Sequence, residues 1–196
     1  MKNKSIVKSA FIALFAALIA VGAFIRIPVG VVPVILQNVL CLLTGSLLGG
    51  FMGGLPTALF LVTGLVGFPV YSGGTGGFAS WMGPTGGFLL GFFLGALTTS
   101  LIAGKPTPEE KLTWKTVLRM SLAFVAGMVV LYVPGIAWFS YWAVQGGSVP
   151  EGSSVIKYAM TACVIPFIPG DIVKIIVSIP IALKVRPIVA LYLGKQ

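Results

Sequence analysis

The chain has 196 residues, 57% of them hydrophobic and only 9% charged, with mean hydropathy +1.06 and a formal net charge of +9. Soluble domains carry about a quarter of their residues as charged side chains, so this composition excludes one and predicts a single polytopic membrane domain over 1–196. Nucleic acid is excluded as well, because binding it needs basic residues gathered on one soluble face.

Apolar segments fall at about 6–25, 34–52, 54–70, 86–103, 116–142 and 155–183. At about 20 apolar residues per crossing helix, they predict an all-α integral membrane protein of six transmembrane helices. The first segment follows Lys2, Lys4 and Lys8, which raises the possibility of a cleaved secretory signal. Its run from Ala10 to Ile25 exceeds a signal's apolar region, and Arg26, Pro28, Gly30 and Pro33 follow without a small-x-small cleavage site, so it reads as a helix. Ala10, Ala13, Ala16, Ala17 and Ala20 place small side chains on one face, where another helix can approach closely. By itself such a face packs within its own chain or against a partner.

In the second segment "LLTGSLLGGFMGG" (42–54) carries Gly45, Gly49, Gly50, Gly53 and Gly54 and marks a tight turn into the third. Between the third and fourth segments lies "VYSGGTGGFASWMGPTGGF" (70–88), seven glycines in nineteen residues. It lacks the lysine and hydroxyl of GxxxxGK[ST], so it is no nucleotide loop. It reads instead as a structured extracellular lid or pocket wall: Gly76, Gly77 and Gly83 let backbone amides approach a ligand, while Tyr71, Phe78, Trp81 and Phe88 supply aromatic surface.

With a cytoplasmic N-terminus, Lys2, Lys4, Lys8, Lys105, Lys111, Lys115, Arg119, Lys184, Arg186 and Lys195 all face the cytoplasm, ten of the thirteen basic residues. That satisfies the positive-inside rule and puts both termini inside the cytoplasmic membrane's inner face, with the basic rim against anionic lipid headgroups. Arg26 falls in the first outer connection against the rule, and Lys157 and Lys174 lie in the last hydrophobic region.

That last segment is interrupted by Pro166 and by "PGD" at 169–171. Asp171 is the only acidic residue outside the hydrophilic connections, which hold Glu109, Glu110 and Glu151. An ionisable group inside a membrane is costly and marks a candidate functional site. One reading makes Asp171 a helix cap after Pro169, receiving first-turn amides, with Lys174 at i+3 as a structural ion-pair partner. The other makes the pair a ligand site opposite the glycine-rich loop, since irregular backbone at membrane depth is tolerated where it lines a cavity or is buried in protein.

No catalytic residue is expected. The chain has no histidine to pair with a nucleophile and a single intramembrane carboxylate. Cys41 and Cys163 lie in apolar runs and suggest packing, and no metal site is expected. No cofactor is expected, and with no nucleotide motif any energy from ATP must come from another subunit.

At "GLVGFPVYSGGTGGFASWMGPTGGFLLGF" (64–92) and "PFIPGDIVK" (166–174), with "PVILQNVLCLLTGSLLG" (33–49) as a weaker third stretch, the chain resembles the BioY family, the biotin-specific S components of energy-coupling-factor (ECF) transporters. Tyr71 departs from the phenylalanine expected there. The resemblance implies a six-helix subunit that captures biotin from outside and hands it on through a transmembrane coupling protein and two cytoplasmic ATPases. It also implies that an AxxxA face of the first helix contacts the coupling protein, with Ala13 and Ala17 as the best match and Ala16 and Ala20 as the other register. Biotin's fused rings suit Trp81 and Tyr71, and Asp171 can accept from the ureido group. Lys174, the Gln37 amide, Thr85 and the loop amides can serve the remaining polar atoms, with the assignment of ends left open. The alternative is an ion-coupled secondary transporter of a small organic solute with Asp171 as the ion-carrying group. The absence of a clear internal repeat weakens it.

Overall fold

In the computed structural model residues 2–27 and 34–194 are described. Pro28, Gly30, Pro33 and Lys195 lie outside the described residues, as do the side chains of Lys2, Lys4 and Arg26. Helix α1 covers Lys2–Gly22 and leads to a two-residue antiparallel ladder, β1 (Arg26–Ile27) against β2 (Val34–Ile35). Helix α2 is Gln37–Leu48, and the expected glycine turn follows as a 3-10 helix over Gly50–Gly54. Gly49 and Gly50 enter it at φ +65° and +59°, values that L side chains rarely adopt. Then come α3 (Leu55–Leu65), the short α4 (Phe78–Met82), α5 (Gly86–Ala103), α6 (Trp114–Gln145), α7 (Val155–Cys163) and α8 (Ile168–Gly194).

Helices α1, α5 and α6 are long and apolar enough to cross a bilayer, and α7 with α8, bent by 47° at their junction, make a fourth crossing if taken as one. Helix α2 and the Gly50–Leu65 unit are apolar but shorter. The six apolar segments read from hydropathy thus correspond to helices of very different length. Helix α3 stops at Leu65 rather than near 70, whereas α5 has the bounds expected from hydropathy, so that Gly86, Gly87 and Phe88, which close the glycine-rich stretch, are helical. The interruption in the last segment falls at residues 164–167, because Pro169 and Asp171 belong to the first turn of α8, where proline's missing N–H costs nothing.

Lipid provides no hydrophobic drive for helices to associate, so close backbone packing has to supply it. The most extensive contact, between α5 and α6, uses Gly87, Gly91 and Gly95 at successive i+4 steps. A Cβ on Gly91 would lie 2.2 Å from the Leu131 carbonyl oxygen, and one on Gly87 would lie 2.2 Å from that of Pro134. Helix α2 is wedged in the middle, buried almost throughout.

The expected cytoplasmic rim needs one correction. Arg186 is fully buried, since α8 continues through the supposed tail to Gly194. Its Nε donates to Glu110 Oε2 at 2.7 Å, and its guanidinium also donates to the carbonyls of Ser46, Ala103 and Gly104. A buried cation requires such partners, and here they are one carboxylate and the carbonyl ends of α2 and α5, where helix dipoles favour positive charge. Glu110, expected in a solvated connection, also pairs with Arg119.

Gly91→Ala should lower the unfolding temperature in detergent, because overpacking of this kind costs about 1–3 kcal/mol. Gly170→Ala, with nothing within 4 Å of the added carbon, should leave it nearly unchanged. Thermal melts of both variants check the pair.

Candidate functional site

A cavity opens at the end of the bundle where α2, α5 and α8 begin, opposite the Arg186 cluster. The void and its open mouth together hold about 690 Å³ of empty space, solvent at the mouth included. Its walls are largely apolar, from Phe88, Leu89, Phe92, Leu131 and Phe167, with Gln37, Asn38, Ser72, Thr85, Tyr132 and Lys174 among the polar groups.

The glycine-rich loop forms one side. Gly73 and Gly74, at φ +77° and +74°, turn the chain so that the Tyr71 N–H donates to the Thr75 carbonyl at 2.9 Å. The Tyr71 ring lies over Gly64, where any Cβ would come within 2.2 Å of it. Its hydroxyl donates to the Leu61 carbonyl at 2.5 Å and accepts from Trp81 Nε1 at 3.0 Å. Burial pushes the Tyr71 phenol above its ordinary range, opposed by the Trp81 hydrogen bond, so it stays a donor near neutral pH. The hydroxyl that distinguishes Tyr71 from the expected phenylalanine thus fastens Trp81 to α3.

Behind the polar wall sits Asp171, 3% exposed. Its Oδ1 accepts from Lys174 Nζ at 2.8 Å and Asn38 Nδ2 at 2.9 Å, and its Oδ2 accepts from the Tyr132 hydroxyl. Lys174 spends its other two protons on the carbonyl of Ile35 at 2.8 Å and Asn38 Oδ1 at 3.1 Å. The carboxylate is held by three side chains and no first-turn amide, so it is not the cap that Pro169-Gly170-Asp171 suggested. The network joins α2, α6 and α8 and reaches β2 through Ile35.

Of the residues expected at the site, Gln37, Tyr71, Thr85 and Lys174 line the cavity, whereas Asp171, Gly76, Gly77, Trp81 and Gly83 do not. Gly77 gives its N–H to the Gly64 carbonyl at 2.7 Å, and the Gly83 carbonyl accepts from Trp138 Nε1 at 2.8 Å, so these backbone groups brace the loop. Gly76 is close to the Phe68 carbonyl oxygen, 2.2 Å from an added Cβ. Asn38, Ser72 and Tyr132 line the cavity without having been singled out. Asn38, beside Gln37 in an apolar stretch, carried a readable signal; Tyr132 and Ser72 did not. Gln37 is fully buried, and among the described residues neither its Oε1 nor Ser72 Oγ has a hydrogen-bond partner. Among the described residues no three His, Cys, Asp or Glu side chains converge to hold a metal ion.

Helix α1 separates the two alanine registers. Ala13 and Ala17 are exposed, whereas Ala16 is buried and Ala20 half-buried against the core.

Residues 1–191 match the pattern of the BioY family. The biotin transporter BioY of Rhodobacter capsulatus is 37% identical over 171 residues, covering 85% of this chain and 86% of that protein. The biotin transporter BioY of Thermotoga maritima is 33% identical over 88% of this chain and 92% of its own length. The fold superposes with a TM-score of 0.76 on a crystal structure of the S-component for biotin from an ECF-type ABC transporter, at 27% identity, covering 95% of this chain and 94% of that one. The chain belongs to the BioY family.

Proposed function

We propose that the protein captures biotin from outside the cell and serves as the S component of an ATP-driven ECF transporter, together with a membrane coupling protein and two cytoplasmic ATPases. The observation that carries this reading is the cavity itself: largely apolar walls with a few polar groups fixed by the Asp171–Lys174 ion pair. The names of its relatives supply the ligand. Trapping a scarce vitamin needs nanomolar affinity, about 12 kcal/mol, and near-complete enclosure of the ligand. The braced loop 70–85 supplies a wall for that.

Six crossings and two cytoplasmic termini complete the proposal. They follow if the short, buried α2 and the Gly50–Leu65 unit, which keeps Phe51, Leu55, Leu59 and Val62 exposed, each cross the bilayer, and α7–α8 crosses as one bent span. The basic residues Lys105, Lys111, Lys115 and Arg119 then share the cytoplasmic end, as the positive-inside rule requires, and the cavity opens outward.

The isolated chain should bind biotin in detergent without nucleotide, and ATP should change nothing, since the cavity belongs entirely to this chain. Isothermal titration checks both statements. Binding of another solute with sodium or proton coupling instead would favour the ion-coupled alternative.

Asp171→Asn and Lys174→Met should each weaken biotin binding by about 1.5–3 kcal/mol, the range for hydrogen bonds to charged groups, while Glu151→Gln stays silent. Normal affinity with a lowered melting temperature would make the network purely structural.

The exposure of Ala13 and Ala17 supports them as the coupling face. Tryptophan at both should leave biotin binding near normal but abolish co-purification with the coupling protein and ATP-driven uptake, because a bulky ring blocks close helix approach. Ala16→Trp, pointing into the core, should lose fold and binding together.

A further inference from the structure

We infer that the connection from α5 to α6 is a binding surface for anionic phospholipid headgroups, made by turning one acid inward and the lysines out. Residues 104–115 carry three lysines against two glutamates, close to balance. The fold sorts them. Glu110 is drawn into the bundle, where the fully buried Arg186 and the half-exposed Arg119 share it. Lys105, Lys111 and Lys115 all stay exposed, with Glu109 the one exposed acid of the connection. Two guanidinium groups against one carboxylate leave the cluster beneath with a further net positive charge.

Apolar side chains at the same place select lipid as the partner. Among the described residues the most exposed large hydrophobics are Phe51 at 80%, Leu112 at 76% and Trp114 at 75%, and all three lie at this end of the bundle. Leu112 and Trp114 stand between Lys111 and Lys115, and Phe51 follows Gly50, beside which the Lys105 stem lies. The surface is also fixed in shape. The Glu110 N–H donates to the Thr107 carbonyl at 3.2 Å, and Thr113 Oγ1 caps α6 by accepting from the Thr116 N–H at 3.3 Å. At 1.5 Å per residue the 32 residues of α6 extend about 48 Å, enough to bring Trp114 to the headgroup layer of a membrane about 40–45 Å thick. Tryptophan is favoured at that depth, and each lysine near anionic lipid strengthens binding about fivefold. An acidic protein surface would match the lysines alone, whereas a phospholipid matches them with its headgroup and matches Leu112 and Trp114 with the top of its acyl chains.

The test places the full chain in phosphatidylcholine vesicles doped with phosphatidylglycerol or phosphatidylcholine brominated high on the acyl chain. Bromine quenches tryptophan on contact, and the share of quenching lost in Trp114→Phe belongs to Trp114. That share should report an affinity for phosphatidylglycerol at least about fivefold above that for phosphatidylcholine. Glutamine at Lys105, Lys111 and Lys115 together should bring the ratio near one. Lys8→Gln combined with Lys184→Gln, two exposed lysines elsewhere, should leave it unchanged. Equal quenching by the two lipids overturns the proposal. So does a ratio that survives the triple change, or one that falls as far in the Lys8 and Lys184 variant, which would make it a property of the whole basic rim. A triple variant that keeps its lipid preference but no longer co-purifies with the coupling protein assigns the surface to a protein and overturns the lipid reading. Should the triple variant fail to fold, the unaltered chain decides: at 1 M salt, where screening acts within about 3 Å, the ratio should collapse, and its persistence overturns the proposal. None of this depends on the biotin reading, and biotin titration of every variant should match the unaltered chain.

Discussion

Helix α8 carries three ionised side chains into the packed interior, and each must be neutralised by something on another element. A buried charge left alone costs several kcal/mol, whereas a pair with its remaining hydrogen bonds satisfied can be carried at little net cost. Asp171 and Lys174 meet that condition at one end of the bundle through Asn38, Tyr132 and the Ile35 carbonyl. Arg186 meets it at the other through Glu110 and three backbone carbonyls. Both clusters use α2, at Asn38 and at Ser46. The short central helix is thereby pinned to α8 at two points, and a slip of either helix along the other would strand a charge. The cavity walls inherit their rigidity from this arrangement.

That neutralisation also shapes what the cavity offers. Lys174 lines the wall but is balanced by Asp171 behind it, so the polar groups set among Phe88, Phe92, Leu131 and Phe167 carry no unpaired charge. A site of that character suits an apolar body with a few uncharged polar atoms. Discrimination then comes from buried groups left unpaired by the wrong ligand, which reject it more strongly than a misfit of one methylene would.

Much of this was legible in the sequence, and the parts that were not have a common cause. Asp171 and Lys174 announce themselves because charge in an apolar run is costly and i+3 spacing joins them on one helix. Their partners lie 133 and 39 residues away and are uncharged, so although Asn38 stands out as polar in an apolar stretch, nothing in local pattern pairs it or Tyr132 with Asp171. Arg186 was read as rim because hydropathy places a positive charge near a segment's end in water, and only tertiary packing reveals Glu110 folding back over it. Segment lengths misled for a similar reason: apolar character runs on through the Gly50–Gly54 turn and beyond Leu65, where backbone geometry ends the helix although hydrophobicity does not. The small-residue rule was applied to α1, yet its tightest use is the Gly87, Gly91 and Gly95 stripe of α5.

Helix α1 presents two different surfaces. Ile19 is fully buried and lends its carbonyl to the Gln37 amide, and Ala16, one turn earlier, faces the same core. Ala13 and Ala17 lie about 100° around the helix from Ala16 and Ile19 by the 3.6-residue repeat, and they are exposed. A small residue is needed on both faces for different reasons. Inside, Ala16 keeps α1 close enough for its backbone to orient Gln37. Outside, Ala13 and Ala17 leave a shallow surface that a second helix can approach. Because the faces diverge in angle, bulk added at Ala13 or Ala17 points away from the core that Ala16 and Ile19 enter.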